Sequence, residues 1–599
     1  MNNSIIYQKI NELEKEIYKL PRGSINKKVI KGNTYYYNRC KENGKIVDKY
    51  IPINEVDYFR EKINLRKTYE KEIKNLKNQL IVPKKELFKQ DINIRIGENL
   101  KKFVKSVKHY KKRECYEIIE DFIYNDLNNK VLILYGLRRT GKTTLIRQII
   151  NEMNDEEINK TAFLQVTSKD TLANVNQNLR KLEELGFKYI FIDEVTLLED
   201  FIEGSALFSD IYAASGMKIV LSGTDSLGFI FAKSDQLYDR CILVHTTFIP
   251  YREFENVLGI RGIDEYIRYG GTMSLSGVEY NDEFSFKNKD NVNEYVDSAI
   301  ARNIQHSLKY YDEGNHFRHL HKLYVHNELT NVINRVVEDI NHRFTKEVLI
   351  KQFRSNDLAI SARNLRKDIN NPSTILDEID IETFNKHLKQ MLEILDINEM
   401  TIPLNDMHAK EIKEYLKYLD LIYEIDIRSF PGSGDVTRRV VISQAGIRYI
   451  QANLLVESLL LDKKFNELSI LEKRNVSTRI LNEIKGRMME DIVLLETKIS
   501  NPYKDVFTLQ FAIGEFDMVV FDKEALSCEI YEIKHSKEVI DKQYRNLIDE
   551  EKIKLTEHSF GRITNKNVIY RGESKKFNNI NYINVEEYLM NINKIKSPL

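Results

Sequence analysis

Apolar residues recur at helical spacing over residues 3–20 and stop before Pro21, which predicts an amphipathic N-terminal helix. Residues 25–51, INKKVIKGNTYYYNRCKENGKIVDKYI, then place aromatic and β-branched residues between turn formers. That is the pattern of two or three strands turning at Gly32 and at Asn43-Gly44. From Val56 to Leu80 a charged segment carries Val56, Phe59, Ile63, Ile73, Leu76 and Leu80 mostly three or four residues apart, a narrow stripe suited to coiled-coil pairing, and Pro83 ends it.

Beyond Tyr116 the pattern changes. Short apolar runs at Val131–Tyr135, Ala162–Val166, Tyr189–Ile192, Ile219–Ser222 and Cys241–His245 alternate with helical segments, as in a parallel sheet covered on both faces. After about Gly259 helical periodicity dominates. The stretch from VLIKQF to TRRVVIS reads as helices followed by a two-stranded wing, the order of a winged-helix domain. From about Val456 the α/β order returns, with a long helix near Ser477–Ser500 and then short strands.

Length agrees with several units: at about 150 residues per domain, 599 residues suggest about four. The expected division is a hairpin-plus-helix module (1–82), a basic linker (83–115), a nucleotide-binding core (116–258), a helical lid (259–345), a winged-helix-like domain (346–455) and a C-terminal α/β domain (456–599). With 91 Lys plus Arg against 90 Asp plus Glu, net charge does not announce a nucleic-acid binder, and partners must be read locally. Locally, seven Lys or Arg between Lys101 and Arg113 interleave with Phe103, His109 and Tyr110; a solvated helix face or linker accounts for them as well as a nucleic-acid contact does. Cys40, Cys115, Cys241 and Cys528 lie too far apart for zinc or redox pairs and read as isolated thiols. The charged N-terminus and the lack of 18 consecutive apolar residues predict a cytoplasmic protein with no membrane span.

The chemistry is clearest in VLILYGLRRTGKTTLIRQII, where Gly136-x-x-x-x-Gly141-Lys142-Thr143 follows an apolar strand and opens a helix. Such a loop, spanning Gly136, Leu137, Arg138, Arg139, Thr140, Gly141, Lys142, Thr143 and Thr144, turns its N–H groups and the helix N-terminus toward phosphates. Lys142 would reach the β- and γ-phosphates of ATP, and the Thr143 hydroxyl would meet Mg²⁺. KYIFIDEV then delivers Asp193 to the magnesium and Glu194 to the attacking water at a strand end. KIVLSGTDSLGF places Thr224, with Ser222, Asp225 and Ser226, where a side chain could sense the γ-phosphate. Arg240 could reach a nucleotide in its own subunit or, in a homo-oligomer, in a neighbour; a surface Arg is an equal reading.

A second constellation lies in GEFDMVVFDKEALSCEIYEIKHS. Glu532 and Lys534, two apart on a strand, emerge on one face, and the neighbouring strand brings Asp517 beside them, with Glu490 on the preceding helix as a further carboxylate. The group could bind Mg²⁺ or Mn²⁺ and polarise a phosphodiester, with Lys534 steadying water or charge. An ion pair on an exposed hairpin face is the rival reading.

The residues GLRRTGKTT, FIDEV, LSGT, PYREF, YIRYGGTMS, EYVDSAIARNI, KYLDLIYEI, GRMMED, GEFDMVV and YEIKHS make the chain from Tyr116 to Arg571 resemble the prokaryotic AAA-type ATPases that carry a winged helix and a C-terminal nuclease-like domain. The resemblance implies a multidomain α/β chain: a P-loop AAA-type parallel-sheet core, a helical lid, a winged helix and a restriction-endonuclease-like domain of the PD-(D/E)xK class, behind a small N-terminal α+β module. Metal and catalytic positions of that class fall on Glu490, Asp517, Glu532 and Lys534. About 115 residues before the ATPase depart from the family's plan. They resemble small prokaryotic modules whose basic hairpin and helix suit nucleic-acid or partner binding. Two functions are therefore expected in competition. One is ATP hydrolysis controlling a metal-dependent nuclease on nucleic acid, DNA ahead of RNA, in defence or a mobile element. The other is an ATP-dependent regulatory switch whose C-terminal domain binds without cutting.

Overall fold

The computed structural model describes residues 3–30, 33–42, 45–79, 93–125, 129–198, 200–224, 226–246, 248–271, 317, 320, 332–333, 336, 406–430, 437–460 and 469–592. Three sheets organise them.

At the N-terminus the helix Asn3–Tyr18 leads into strands β1 (Ser24–Ile30), β2 (Asn33–Glu42) and β3 (Lys45–Ile51), an antiparallel meander. The helix Val56–Gln79 comes next. Its apolar stripe finds its partner within the chain: Ile73 and Leu76 close a small core with Ile10, Leu13 and Ile17 of the first helix. The coiled-coil-like spacing thus serves an intramolecular helix pair.

The second sheet has the order β4-β6-β7-β8-β5-β9, built from β4 (Asn93–Ile96), β5 (Val131–Tyr135), β6 (Thr161–Gln165), β7 (Tyr189–Asp193), β8 (Lys218–Gly223) and β9 (Cys241–His245). β4 is antiparallel to β6 and the rest are parallel. Strands β5, β7 and β8 are buried along their whole length, which is why they read as unbroken apolar runs.

The expected linker is corrected by this sheet. Residues 93–113 are built into the nucleotide domain: β4 extends its sheet, and Leu100, Val104 and Val107 are buried, Leu100 and Val104 in the core formed with the helix Lys142–Glu152 and the strands. Three apolar residues at helical spacing anchor the segment, while its lysines stay at the surface.

The third sheet has eight strands in the order β11-β10-β12-β13-β14-β15-β17-β16: β10 (Ile422–Ser429), β11 (Thr437–Ile442), β12 (Asp505–Gln510), β13 (Glu515–Asp522), β14 (Ser527–Lys534), β15 (Arg562–Tyr570), β16 (Lys575–Phe577) and β17 (Ile580–Asn584). The hairpin β10–β11, expected as a wing, belongs to this sheet, because β10 pairs in parallel with β12. The helix Ala445–Leu460 also crosses the expected boundary at 455. The helical part of the expected winged helix, 346–405, and nearly all of the expected lid after Gly271 lie outside the described residues. The long helix Ile470–Ser500 packs on the sheet through Met488, Met489, Ile492 and Val493.

The segment PYREF joins the two larger bodies. The helices Tyr251–Leu258 and Ile263–Tyr269 bury Tyr251, Phe254, Ile263, Tyr266 and Ile267 in one core with Met488, Tyr531, Ile569 and Leu589. Among the described residues no helix is long and apolar enough to cross a membrane, and none of the four cysteines is in a disulfide.

Candidate nucleotide site and C-terminal acidic cluster

The phosphate loop leaves β5 at Gly136, whose φ of 140° only glycine adopts readily; a Cβ there would run into the carbonyl of Thr246. Thr246 fastens the loop by donating to the Tyr135 carbonyl at 2.9 Å and by sharing a hydroxyl contact of 2.9 Å with Thr140. Thr140 donates in turn to the Leu137 carbonyl at 2.8 Å. Gly141, also at positive φ, opens the helix Lys142–Glu152, which carries Thr143 and Thr144 in its first turn.

The Lys142 ammonium is buried and donates to the carbonyls of Gly136 (2.8 Å) and Leu137 (2.7 Å). Burial pulls its pKa down to about 8, against the pull of Glu194 and Asp193. Arg138 and Arg139 stand on the outer turn of the loop, Arg138 exposed and Arg139 at a positive φ of 63°.

Parallel pairing of β7 with β8 sets Asp193 beside Ser222. Asp193 accepts from Thr143 at 2.9 Å and from Ser222 at 2.5 Å, so one buried carboxylate ties the loop helix to two central strands. Hydroxyl and carboxylate oxygens in that arrangement suit magnesium, which takes oxygen ligands and keeps several waters. Glu194 stands next in the left-handed region (φ 57°), a conformation that turns its side chain out of the strand direction, and its carboxylate accepts from Thr224 at 3.3 Å. Burial and then Asp193 hold its pKa above the ordinary value. Asp225 lies outside the described residues.

Arg240 is not brought to this site. Its carbonyl accepts from the Val131 N–H, at the N-terminal ends of β5 and β9, and its guanidinium pairs with Asp210 at 2.7 Å in an exposed position. The loop leaves the other end of β5, about 13 Å of strand away. A role within its own subunit is corrected by that polarity.

Arg113 is the residue that sequence reasoning passed over. Buried, it donates to the Thr140 carbonyl of the loop at 2.7 Å and twice to one Glu253 oxygen, at 2.8 and 2.5 Å, while the other Glu253 oxygen accepts from the Glu114 N–H at 2.7 Å. Next in the chain, Arg252 forks onto Glu114 and donates to the Ile592 carbonyl, and the Tyr251 N–H donates to Glu496 at 2.8 Å. Burial lifts the Glu496 pKa to about 7. The phosphate loop is therefore hydrogen-bonded, through one arginine, to a helix seated in the C-terminal core. In the sequence Arg113 is the last of seven basic residues in a row of surface lysines, with nothing local to set it apart.

The C-terminal group assembles as expected from strand geometry. Pairing of Met518 with Tyr531 puts Asp517 across from Glu532 at the ends of β13 and β14. The Lys534 ammonium sits 2.7 Å from both carboxylates. Asp517 also accepts from the Ile533 N–H at 2.7 Å, and Glu532 from Asn546 at 2.9 Å. Burial works against the Asp517 charge, but Lys534 and the Ile533 N–H outweigh it and keep the group below its usual range. Burial and the neighbouring Asp517 push Glu532 up to about 8. Lys534 is raised, its two carboxylates overcoming burial.

Glu490 stands in the same neighbourhood but is held by Arg487 at 2.5 Å, with Arg439 of β11 at 3.7 Å. Among the described residues no group of three or more His, Cys, Asp or Glu could hold a metal ion. The expected three-carboxylate metal set is corrected accordingly: cationic side chains satisfy these acids, and two carboxylates on one lysine are what the strands bring together. A third contact completes the joint: Asp264 pairs with His535, the neighbour of Lys534, at 3.1 Å and with Arg571, and the hydrogen bond to His535 holds its carboxyl well below the usual range.

Residues 128–255 match the family model of an AAA domain, and residues 4–61 match a domain of unknown function, DUF6788. The chain is 22% identical over 247 residues to the uncharacterized protein MJ1544 of Methanocaldococcus jannaschii, a match covering 37% of this chain and 53% of the relative. It is 22% identical over 432 residues to the uncharacterized protein MJ1519 of the same organism, covering 68% of this chain and 35% of that one. The chain thus spans about half and about a third of the length of these relatives. Among solved structures, the Aeropyrum pernix Orc1 protein in complex with DNA aligns over 63% of this chain and 99% of that one at 12% identity; its TM-score of 0.21 carries no argument. The parallel sheet and the phosphate loop agree with the family match in making residues 128–255 an AAA-type ATPase-like domain.

Proposed function

We propose that the chain binds and hydrolyses ATP with magnesium and uses the nucleotide state to control its C-terminal domain. The observation that carries this reading is the Thr143–Asp193–Ser222 network beside the Lys142 ammonium. In it Lys142 would bind the β- and γ-phosphates, Thr143 and Asp193 would hold magnesium, Glu194 would take a proton from the attacking water, and Thr224 would position Glu194. The raised pKa of Glu194 suits a general base. Control of the C-terminal domain is supported by the Arg113–Glu253 pair on the Thr140 carbonyl.

The C-terminal domain, in this proposal, acts on nucleic acid, DNA ahead of RNA, through Asp517, Glu532 and Lys534, with Mg²⁺ or Mn²⁺ held by the two carboxylates and water, in a defence or mobile-element setting inside the cytoplasm. Glu490 would join only by leaving Arg487. A second reading, a switch that binds nucleic acid or a partner without cleavage, is favoured by the pairing of every acid in the cluster with Lys534, Arg487 or Arg439. Incubating the protein with DNA or RNA, ATP and Mg²⁺ or Mn²⁺ separates them. Cleavage that Lys534→Ala abolishes supports the nuclease; cleavage that survives it removes the assignment, and no cleavage of any strand favours the switch. ATP turnover in the same tubes, unchanged by Glu194→Gln, would sink the ATPase reading on its own.

A further inference from the structure

The N-terminal sheet carries a second surface of distinct chemistry. The pairings Asn26↔Tyr37↔Tyr50 and Lys28↔Tyr35 put Lys28, Tyr35, Tyr37, Arg39 and Tyr50 on one face. The opposite face carries Asn38, Cys40 and Ile51, all buried, and the helix Val56–Gln79 contacts β1. The tyrosine face is partly open: Tyr50 is 57% exposed, Lys28 and Arg39 are exposed, and Tyr35 and Tyr37 are half-buried.

The rings form a platform. Tyr50 stands 6.3 Å from Tyr35 and 5.8 Å from Tyr37, and the Lys28 ammonium lies 4.9 Å from the Tyr37 ring centre. Asp48 pins Lys28 and Arg39 at the flank of the rings, with ion pairs of 2.7 and 2.8 Å. Residues 24–51 hold seven Lys or Arg against Glu42 and Asp48, a balance of +5 in a chain whose whole balance is +1. The sheet as a whole concentrates positive charge, with Lys28 and Arg39 on the tyrosine face and Lys27 and Lys49 on the opposite one.

We propose that this face binds single-stranded nucleic acid, its tyrosines stacking on unpaired bases and its basic residues meeting the backbone phosphates. One exposed ring flanked by two half-buried ones on a small sheet rewards a base whose π-face is free, and in a duplex those faces are already stacked. A polyanion answers the +5 balance of the sheet as a whole, which a neutral apolar partner would leave uncompensated. The proposal does not depend on whether Asp517, Glu532 and Lys534 cut; it supplies a place where a strand is held, on a different sheet.

The test is fluorescence anisotropy of the full chain with a labelled oligothymidine, a mixed-sequence single strand and a duplex of equal length, across a salt series. Tyr37→Ala or Tyr50→Ala should weaken single-strand binding by about 5- to 150-fold, Tyr50→Phe should retain it, and Lys28→Ala should flatten the salt dependence by about 0.7 in log–log slope. Ultraviolet crosslinks mapped on the wild type should fall within residues 33–51, a readout that needs no variant to fold. Crosslinks confined to other regions, tighter binding to duplex, unchanged affinity in both alanine variants, no strand binding at all, or a face covered by a second copy in solution would each overturn the proposal.

Discussion

Two lysines, each with acids in its field, end up in opposite states. Lys142 is held by carbonyl oxygens, with Asp193 occupied by Thr143 and Ser222 and Glu194 by Thr224, so burial outweighs the pull of the two acids and its pKa falls to about 8. Lys534 sits directly between Asp517 and Glu532, and its charge is reinforced. The first arrangement leaves a cation waiting for an anionic ligand; the second has already consumed its cation on the protein's own carboxylates. One lysine cannot compensate two buried acids, however, and the excess appears as the raised pKa of Glu532. Ligand readiness is thus set by which atoms hold the ammonium, not by the residue types present.

The largest effect that would sharpen this contrast is on the nucleotide side. Glu194→Gln should slow ATP hydrolysis by about 10²- to 10⁴-fold while nucleotide binding, followed with a fluorescent ATP analogue, stays close to wild type. Lys142→Ala should weaken ATP binding by about 10- to 150-fold, the loss of a charge-assisted contact to phosphate; wild-type affinity would break the comparison at its first term. At the other lysine, Lys534→Ala should lower stability by about 3 kcal/mol, because it strands two buried carboxylates, and the loss should be visible in denaturant unfolding.

A smaller effect concerns pH. Glu532 titrates near 8 in the folded chain against an ordinary 4.5, so the folded state binds this proton more tightly than the unfolded one. Its contribution to stability is full below about pH 4.5 and is lost as pH rises to about 8. Glu532→Gln should flatten the fall in melting temperature across that window, and an identical slope in both proteins would refute the compensation argument. Smallest of all, Arg240→Ala should change ATP turnover less than twofold at concentrations where the protein is monomeric, since its strand end faces away from the loop. A larger loss that appears only in an assembled form would assign Arg240 to a neighbouring subunit's nucleotide.

Much of this was legible because it is local. The five parallel strands announce themselves as apolar runs, and the phosphate loop and the Asp193-Glu194 pair sit within a few residues of the strand that positions them. Asp517, Glu532 and Lys534 were found from the two-residue period of a strand and one hairpin. What escaped depends on pairing across distance. β4 joins β6 some 65 residues later, β10 lies beside β12 across the helix Ile470–Ser500, and Arg113 meets Glu253 at a separation of 140 residues. None of these partners leaves a periodic trace at its own position. The wing expectation had the right strands and missed their neighbour, because a hairpin's sequence does not show which sheet its outer edge will extend.

Arg113 also decides where this chain can be divided. A fragment ending at residue 258, the natural cut by sequence, would take Phe248, Ile249, Tyr251 and Phe254 out of the core they share with Met488, Ile569 and Leu589. It would also leave Arg252 and the Tyr251 N–H without Ile592 and Glu496. The P-loop domain is therefore not an exchangeable cassette: grafting a different P-loop domain onto this C-terminal half would require residues 93–113 and 251–269 to travel as well, as a matched lock between the two.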